Sequence, residues 1–179
     1  PQVAEFVGEM TRDYGFAGEQ LMAVFRDAER KQSILDAISR PAERVKQWKE
    51  YRPIFISDAR VARGVDFWRE HEAVLARAEQ EYGVPAQVIV SLIGVETFYG
   101  RNTGNYRVID ALSTLGFDYP PRAEFFRKEL REFLLLTREE QVAPLTLKGA
   151  YAGAMGLPQF MPSSFRAYAV DFDGDGHIN

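Results

Sequence analysis

Residues 90 to 100 read Val90-Ser-Leu-Ile-Gly-Val-Glu-Thr-Phe-Tyr-Gly100, and a single acid, Glu96, stands at the end of an otherwise apolar run. A carboxylate is costly to bury without a partner, so its place needs a reason. Upstream, Pro85 suits the first turn of a helix, and Val88, Ile89, Val90, Leu92, Ile93 and Val95 leave that helix almost no polar face. The pattern predicts a buried central helix and a mainly α fold around it. Glu96 follows Leu92 and Ile93 by one helical turn and Ile89 by two, so its side chain emerges among aliphatic neighbours. It also occupies the last turn before Gly100, where the negative end of the helix dipole disfavours another negative charge. Both effects raise a carboxyl pKa, and a carboxyl held neutral near pH 7 is what a general acid requires. A glutamate that points to solvent where its helix emerges fits the same periodicity, which alone does not choose between the two.

Helical periodicity extends outward from this run. Val3, Phe6, Val7 and Met10 share one face before Gly15, and Leu21, Val24, Phe25 and Ala28 share another. Residues 33–39 form a short turn of helix stopped by Pro41, with Val45 and Trp48 on the next. The stretch Tyr51-Arg-Pro-Ile-Phe-Ile-Ser57 sets β-branched and aromatic residues around a proline, which predicts an extended connector. Ser57 or Asp58 then caps a long helix carrying Val61, Val65, Trp68, Leu75, Ala78 and Tyr82 on one stripe and ended by Gly83. Trp48 and Trp68 read as packing within this helical part. Beyond Gly100, residues 101–106 form a polar loop next to Glu96. Asp110 reads as a helix cap rather than a second catalytic acid. Residues 119–124 start a helix whose core stripe is Phe125, Phe126, Leu130, Phe133 and Leu134, and Thr137-Arg-Glu-Glu140 has the spacing of a capping box. The small residues of Lys148–Gly156 allow close approach to a neighbour or a ligand, or tight helix packing.

The composition narrows the function classes. With 179 residues, 46% hydrophobic and 27% charged, the chain reads as a soluble globular protein. No apolar run approaches the roughly 20 residues that span a bilayer. No signal peptide is visible, and a start at Pro1 rather than Met leaves room for an upstream targeting or anchoring segment. There is no cysteine, hence no disulfide framework. The net charge of -4 is spread among interspersed acids and bases, unlike the footprint of a nucleic-acid binder or a polybasic membrane patch. His71 falls among charges and carries no role.

The end of the chain, Asp171-Phe-Asp-Gly-Asp-Gly-His-Ile-Asn179, has the spacing of an EF-hand loop. Asp171, Asp173 and Asp175 take positions 1, 3 and 5, Gly176 makes the turn at position 6, and His177 offers its backbone carbonyl at position 7. Three carboxylates this close repel one another without a cation, and hard oxygen ligands in a flexible loop suit Ca²⁺ better than a transition metal. The competing reading is a plain acidic turn. The carboxylate expected at position 12 falls beyond Asn179, so the expected site is structural and weak within these residues.

Taken in order, Val-Glu-Thr (95–97), Tyr-Pro-Pro-Arg-Ala-Glu-Phe-Phe (119–126), Leu-Lys-Gly (147–149), Ala-Gly-Ala-Met-Gly (152–156), Gln-Phe-Met-Pro-Ser-Ser (159–164) and the acidic loop resemble the membrane-bound lytic transglycosylase B family. The resemblance runs from about Tyr51 to the last residue. It implies a mainly α fold with a lysozyme-like catalytic core (76–179, incomplete at its C-terminal end), an additional N-terminal helical domain (1–75, with its connector near 51–57) and an EF-hand-like loop. It implies non-hydrolytic cleavage of the MurNAc-GlcNAc β-1,4 bond of peptidoglycan, leaving a 1,6-anhydro-MurNAc end, with Glu96 as general acid and then base. By the same residue-by-residue likeness Gln159 and Tyr51 bind substrate, Met155 and Gly156 shape the wall, and Arg122 faces the stem-peptide carboxylates. Tyr99, Tyr106 and Tyr151 are candidates for stacking on sugar rings, a role with which core packing competes. The implied partners are glycan strands, the implied cofactor is structural Ca²⁺ with no organic group, and the implied location is the periplasm, with outer-membrane association left open. Ala150 departs from the family where a relative offers a serine to the catalytic carboxyl, and Pro121 departs where a second basic residue occurs. A hydrolytic lysozyme-type muramidase and an inactive wall-binding module are the alternatives.

Overall fold

In the computed structural model, which describes residues 1–40 and 46–178, helices dominate. In chain order they are α1 (Gln2–Tyr14), α2 (Gly18–Asp27), α3 (Gln32–Ser39), α4 (Trp48–Phe55), α5 (Asp58–Glu70), α6 (Glu72–Tyr82), α7 (Ala86–Thr97), α8 (Val108–Asp118), α9 (Ala123–Glu139) and α10 (Pro162–Tyr168). Two short strands, β1 (Tyr106–Arg107) and β2 (Lys148–Gly149), pair antiparallel with Tyr106 opposite Gly149. Pro41, Val45 and Asn179, each given a place by the sequence reading, lie outside the described residues. No helix among the described residues is long and apolar enough to cross a membrane.

The chain divides into two compact units, neither continuous in sequence: Pro1–Ser39 with Gly104–Met155 and Phe160–Asn179, and Arg40–Thr103 with Gly156–Gln159. The expected division was a single cut after residue 75.

The core of the first unit takes in the faces that periodicity predicts on α1, α2 and α9, and adds residues of α3 and α8 for which no face was read. Phe6, Val7 and Met10 of α1, Leu21 of α2 and Ile34 of α3 are buried together with Ile109, Leu112 and Leu115 of α8 and with Phe126, Leu130, Phe133 and Leu134 of α9. Each such side chain contributes roughly 1.5–3 kcal/mol by leaving water. Phe125 of the expected stripe is exposed instead, because it falls one position off the buried ridge.

Buried polar groups fasten this unit, and their roles differ from those expected. Asp110 lies inside α8 and is buried. It accepts the Glu29 N–H at 2.7 Å and the Arg107 Nε at 2.8 Å, so it anchors a loop distant in sequence rather than capping a helix. Arg107 also donates to the Asp27 carboxylate at 2.6 Å, and Asp110 first, then Asp27, holds the guanidinium in its charged form. Glu129, on α9, is buried and accepts both the Ser163 N–H (3.0 Å) and the Ser163 Oγ–H (2.6 Å), which supplies the start of α10 with an acceptor from a neighbouring helix. Thr137 lies within α9, where its hydroxyl donates to Leu134 O; it caps nothing, and the acids after it serve α10 and the acidic loop, Glu139 pairing with Arg166 and Glu140 accepting the Ile178 N–H. The small-residue run folds as β2 and tight turns rather than a helix. Gly149 is required there, since a Cβ would stand 2.2 Å from Ala154 O.

In the second unit two expectations fail for local reasons. Tyr51–Phe55 is helical, not extended: a capping box between Gln47 and Glu50 secures the first turn of α4, and Pro53 comes too near its end to stop it. The long helix after Ser57, whose Oγ accepts the Arg60 N–H, is two helices that meet at His71, where φ is -117° and ψ is 21°. The buried face is Gly64, Phe67 and Leu75, while Val61, Val65, Trp68 and Tyr82 are exposed.

The cross-chain anchor at Asp110 yields a stability test. Asp110→Ala leaves the Glu29 N–H and one side of the Arg107 fork without an acceptor, which costs about 2–4 kcal/mol. Lys128→Ala, which removes the exposed pair with Glu124, changes stability by less than about 0.5 kcal/mol. Urea unfolding followed by far-UV circular dichroism measures both.

Candidate active site

Helix α7 presents Glu96 on its last turn. The helix buries Ala86, Val90, Gly94 and Thr97 on one face, whereas Val88, Leu92 and Val95 are exposed. The expected burial all round is therefore not met, and Glu96 is itself exposed. An apolar run shows that a helix can be covered on every side without showing which sides are.

What fixes Glu96 is the residue after it. Thr97 is fully buried, and its hydroxyl lies 3.2 Å from Ile93 O and 3.1 Å from Leu157 O as donor while it accepts the Gly100 N–H at 3.0 Å. Its own carbonyl accepts the Asn102 N–H at 2.9 Å. Two consecutive non-glycine residues, Phe98 (φ 50°) and Tyr99 (φ 56°), then take the left-handed conformation. Such residues are sparsely populated outside glycine, and they cluster where a fold holds a functional group in a set position.

The segment 156–159 belongs to the same unit and closes a hairpin whose stem is the antiparallel bridge between Met155 and Phe160. Gly156 (φ 70°) and Gln159 (φ 52°) make the turn. The Gln159 side-chain amide donates to Thr103 O at 3.1 Å and to Gly156 O at 3.0 Å, so its carboxamide oxygen remains the acceptor that a sugar hydroxyl or N-acetyl N–H can use. Tyr51, half exposed, stands in a hollow of about 410 Å³ with Trp48, Phe55, Arg60 and Val95. Trp48 is 67% exposed on that hollow, its ring 6.2 Å from that of Tyr51, instead of packing inside as the sequence reading had it.

The remaining candidates lie in the first unit. Met155 is half-buried against its core and bridges both Gly149 and Phe160. Tyr151 is exposed in the turn after β2. Arg122 precedes α9, its guanidinium 4.3 Å above the exposed Phe125 ring. Ala150 donates its amide to Ala154 O at 2.9 Å.

Asp171, Asp173 and Asp175 bring one carboxylate oxygen each to within 4.8 Å of one another. The loop closes on them through its own amides. Asp171 accepts the N–H groups of Gly174 (2.7 Å), Asp175 (3.1 Å) and Gly176 (2.9 Å), and Asp175 accepts that of His177 at 2.8 Å. Gly174 and Gly176 are left-handed, as the tight turn requires. Hydrogen bonds, that from Gly176 foremost, hold the Asp171 carboxyl below the ordinary aspartate range. The loop is thus preformed above that range and loses these bonds only as pH falls through the lowered value. The His177 imidazole Nδ1 lies 3.8 Å from the Glu140 carboxylate.

Three comparisons set this geometry among known proteins. The family described as Transglycosylase SLT domain matches residues 1–179. Membrane-bound lytic murein transglycosylase B of Escherichia coli (strain K12) is 48% identical over 188 residues, covering 100% of this chain and 52% of its own length. The crystal structure of soluble lytic transglycosylase SltB1 from Pseudomonas aeruginosa superposes with a TM-score of 0.99 at 85% identity, over 100% of this chain and 60% of that one. The Escherichia coli lytic transglycosylase Slt35 in complex with calcium superposes with a TM-score of 0.95 at 49% identity, over 100% and 57%. The chain thus spans roughly half to three-fifths of the length of these relatives.

Proposed function

The chain belongs to the transglycosylase SLT domain family, and from that membership and the turn that carries Glu96 we propose that it is a peptidoglycan lytic transglycosylase acting in the periplasm. The observation that carries the reading is an exposed carboxyl on a backbone fastened by a buried neighbour and followed by two left-handed residues, a conformation that clusters at functional sites.

In this reading the neutral Glu96 carboxyl donates its proton to the glycosidic oxygen as the bond from MurNAc C1 breaks, releasing the GlcNAc 4-hydroxyl. The resulting Glu96 carboxylate then takes the proton of the MurNAc C6 hydroxyl as that oxygen bonds to C1. One carboxyl serves both steps and no water is consumed, whereas glycoside hydrolysis ordinarily uses two carboxyl groups about 5–9.5 Å apart. Gln159, Tyr51 and Gly156, of the same unit as Glu96, are the substrate contacts of this reading, with Gln159 the polar group whose side-chain amide the Thr103 and Gly156 carbonyls pin.

Asp171, Asp173 and Asp175, with the His177 carbonyl, would hold Ca²⁺, as the calcium complex of Slt35 supports. The residues fit: three hard oxygen donors converge in a loop whose left-handed glycines are already set. Bound there, the ion would neutralise the clustered carboxylates and stiffen the loop that Glu140 ties to α9.

Two experiments test these assignments. Glu96→Gln lowers turnover of purified sacculi by about 10³-fold or more, because the amide neither donates nor accepts the proton. Since Glu96 is exposed, the same change shifts stability by less than about 0.5 kcal/mol; near wild-type turnover by the folded variant removes Glu96 from its role. Ca²⁺ at 100 times its Kd raises stability by about 2.7 kcal/mol, seen as a higher melting temperature that Asp171→Ala abolishes. Calorimetric titration with no Ca²⁺ heat and no thermal shift assigns the loop as an acidic turn.

A further inference from the structure

The left-handed pair after Glu96 needs something to hold it, and the second unit contains a slot that does. The Tyr99 ring enters between α5 and α7 where both helices carry glycine. A Cβ on Gly64 would meet Tyr99 Oη at 2.4 Å and Cζ at 3.0 Å; one on Gly94 would meet Oη at 2.5 Å, Cζ at 2.6 Å and Cε1 at 2.9 Å. Glycine inside a helix is less favourable than alanine, and here two of them make room for one ring. Phe67 closes the slot with its ring 5.6 Å from that of Tyr99. From the other side Arg60 donates Nη1–H to Gly94 O at 2.8 Å and lays its guanidinium 4.6 Å from the Phe98 ring. Gly94 O also accepts the Phe98 N–H, so the carbonyl that ends α7 and the two left-handed residues are held from both helices.

We propose that Tyr99 is a positioning residue for Glu96: its ring, wedged between Gly64 and Gly94, sets the last turn of α7 and so the place of the carboxyl. This rests on the reading of Glu96 as the acid. The glycine contacts make the claim specific. Alanine at 64 collides chiefly with the tyrosine oxygen, which phenylalanine lacks, whereas alanine at 94 collides with the ring carbons that phenylalanine keeps.

The test uses Gly64→Ala and Gly94→Ala, each alone and combined with Tyr99→Phe, in kinetics on sacculi and in amide hydrogen exchange. Gly64→Ala is expected to lower kcat by about 10- to 100-fold with KM changed less than about twofold, the signature of a displaced catalytic group. Adding Tyr99→Phe restores most of the loss at Gly64→Ala and little at Gly94→Ala. Exchange at the Phe98, Tyr99, Gly100 and Asn102 amides rises in Gly64→Ala and falls again in its double variant. Full kcat in Gly64→Ala, rescue of both alanine variants or of neither, or looser amides with unchanged turnover would each overturn the proposal. Should Glu96→Gln keep wild-type turnover, the catalytic reading fails separately, while the exchange pattern still decides whether Tyr99 holds the turn.

Discussion

The buried Thr97 hydroxyl is the contact on which the candidate site depends. It sits at the end of α7 and reaches three backbone groups: Ile93 O one turn back, Gly100 N–H just ahead, and Leu157 O some sixty positions on. A hydroxyl has one proton to give, so its two carbonyl acceptors share it while a lone pair takes the amide. Any of these groups left without a partner in a buried place costs about 1–3 kcal/mol. A threonine here therefore does for the turn what a ring of backbone bonds does inside a helix. It ends α7 at a defined residue, turns Glu96 outward beside it and ties down the hairpin tip that carries Gln159.

The chemistry follows from that outward turn. In the proposed mechanism a glutamate that gives a proton to a polymer and takes one back must meet substrate, and exposure at a helix end provides access. The fastening provides position, through Thr97 behind it and the slot that receives Tyr99 ahead of it. Proximity is worth most when the group does not have to find its place during the reaction, which is why strain is tolerated at Phe98 and Tyr99. The acidic loop follows the same logic: its amides turn inward on Asp171 and Asp175, so its carboxylates converge.

Much of the fold could be read from periodicity alone. The faces of α1, α2 and α9 follow a spacing that the core repeats, because a stripe against one neighbour is a local property. The second unit resisted for equally physical reasons. At His71 the chain breaks with neither glycine nor proline to mark it, and at Pro53 a proline sits in a helix too short to be harmed. Which apolar side of α5 faces inward depends on Gly64, and a glycine carries no hydrophobic signal. The candidate site divides in the same way. Its chemical residues, Glu96, Gln159 and the aspartates, stand out by type and motif, whereas Asp110, Glu129 and Thr97 act through partners 34 to 81 positions away. No spacing rule reaches that far; a polar residue amid apolar neighbours was the available signal, and Thr97 showed it only as the companion of Glu96.

The central claim is that one carboxyl on this turn cleaves the glycan without water. Mass spectrometry of the muropeptides that the protein releases from purified sacculi addresses it directly. The account predicts products ending in 1,6-anhydro-MurNAc, each lighter by one water than its reducing counterpart, formed by the wild-type chain and absent with Glu96→Gln. Release of reducing MurNAc ends in their place would mean that water is the nucleophile, and would contradict the claim.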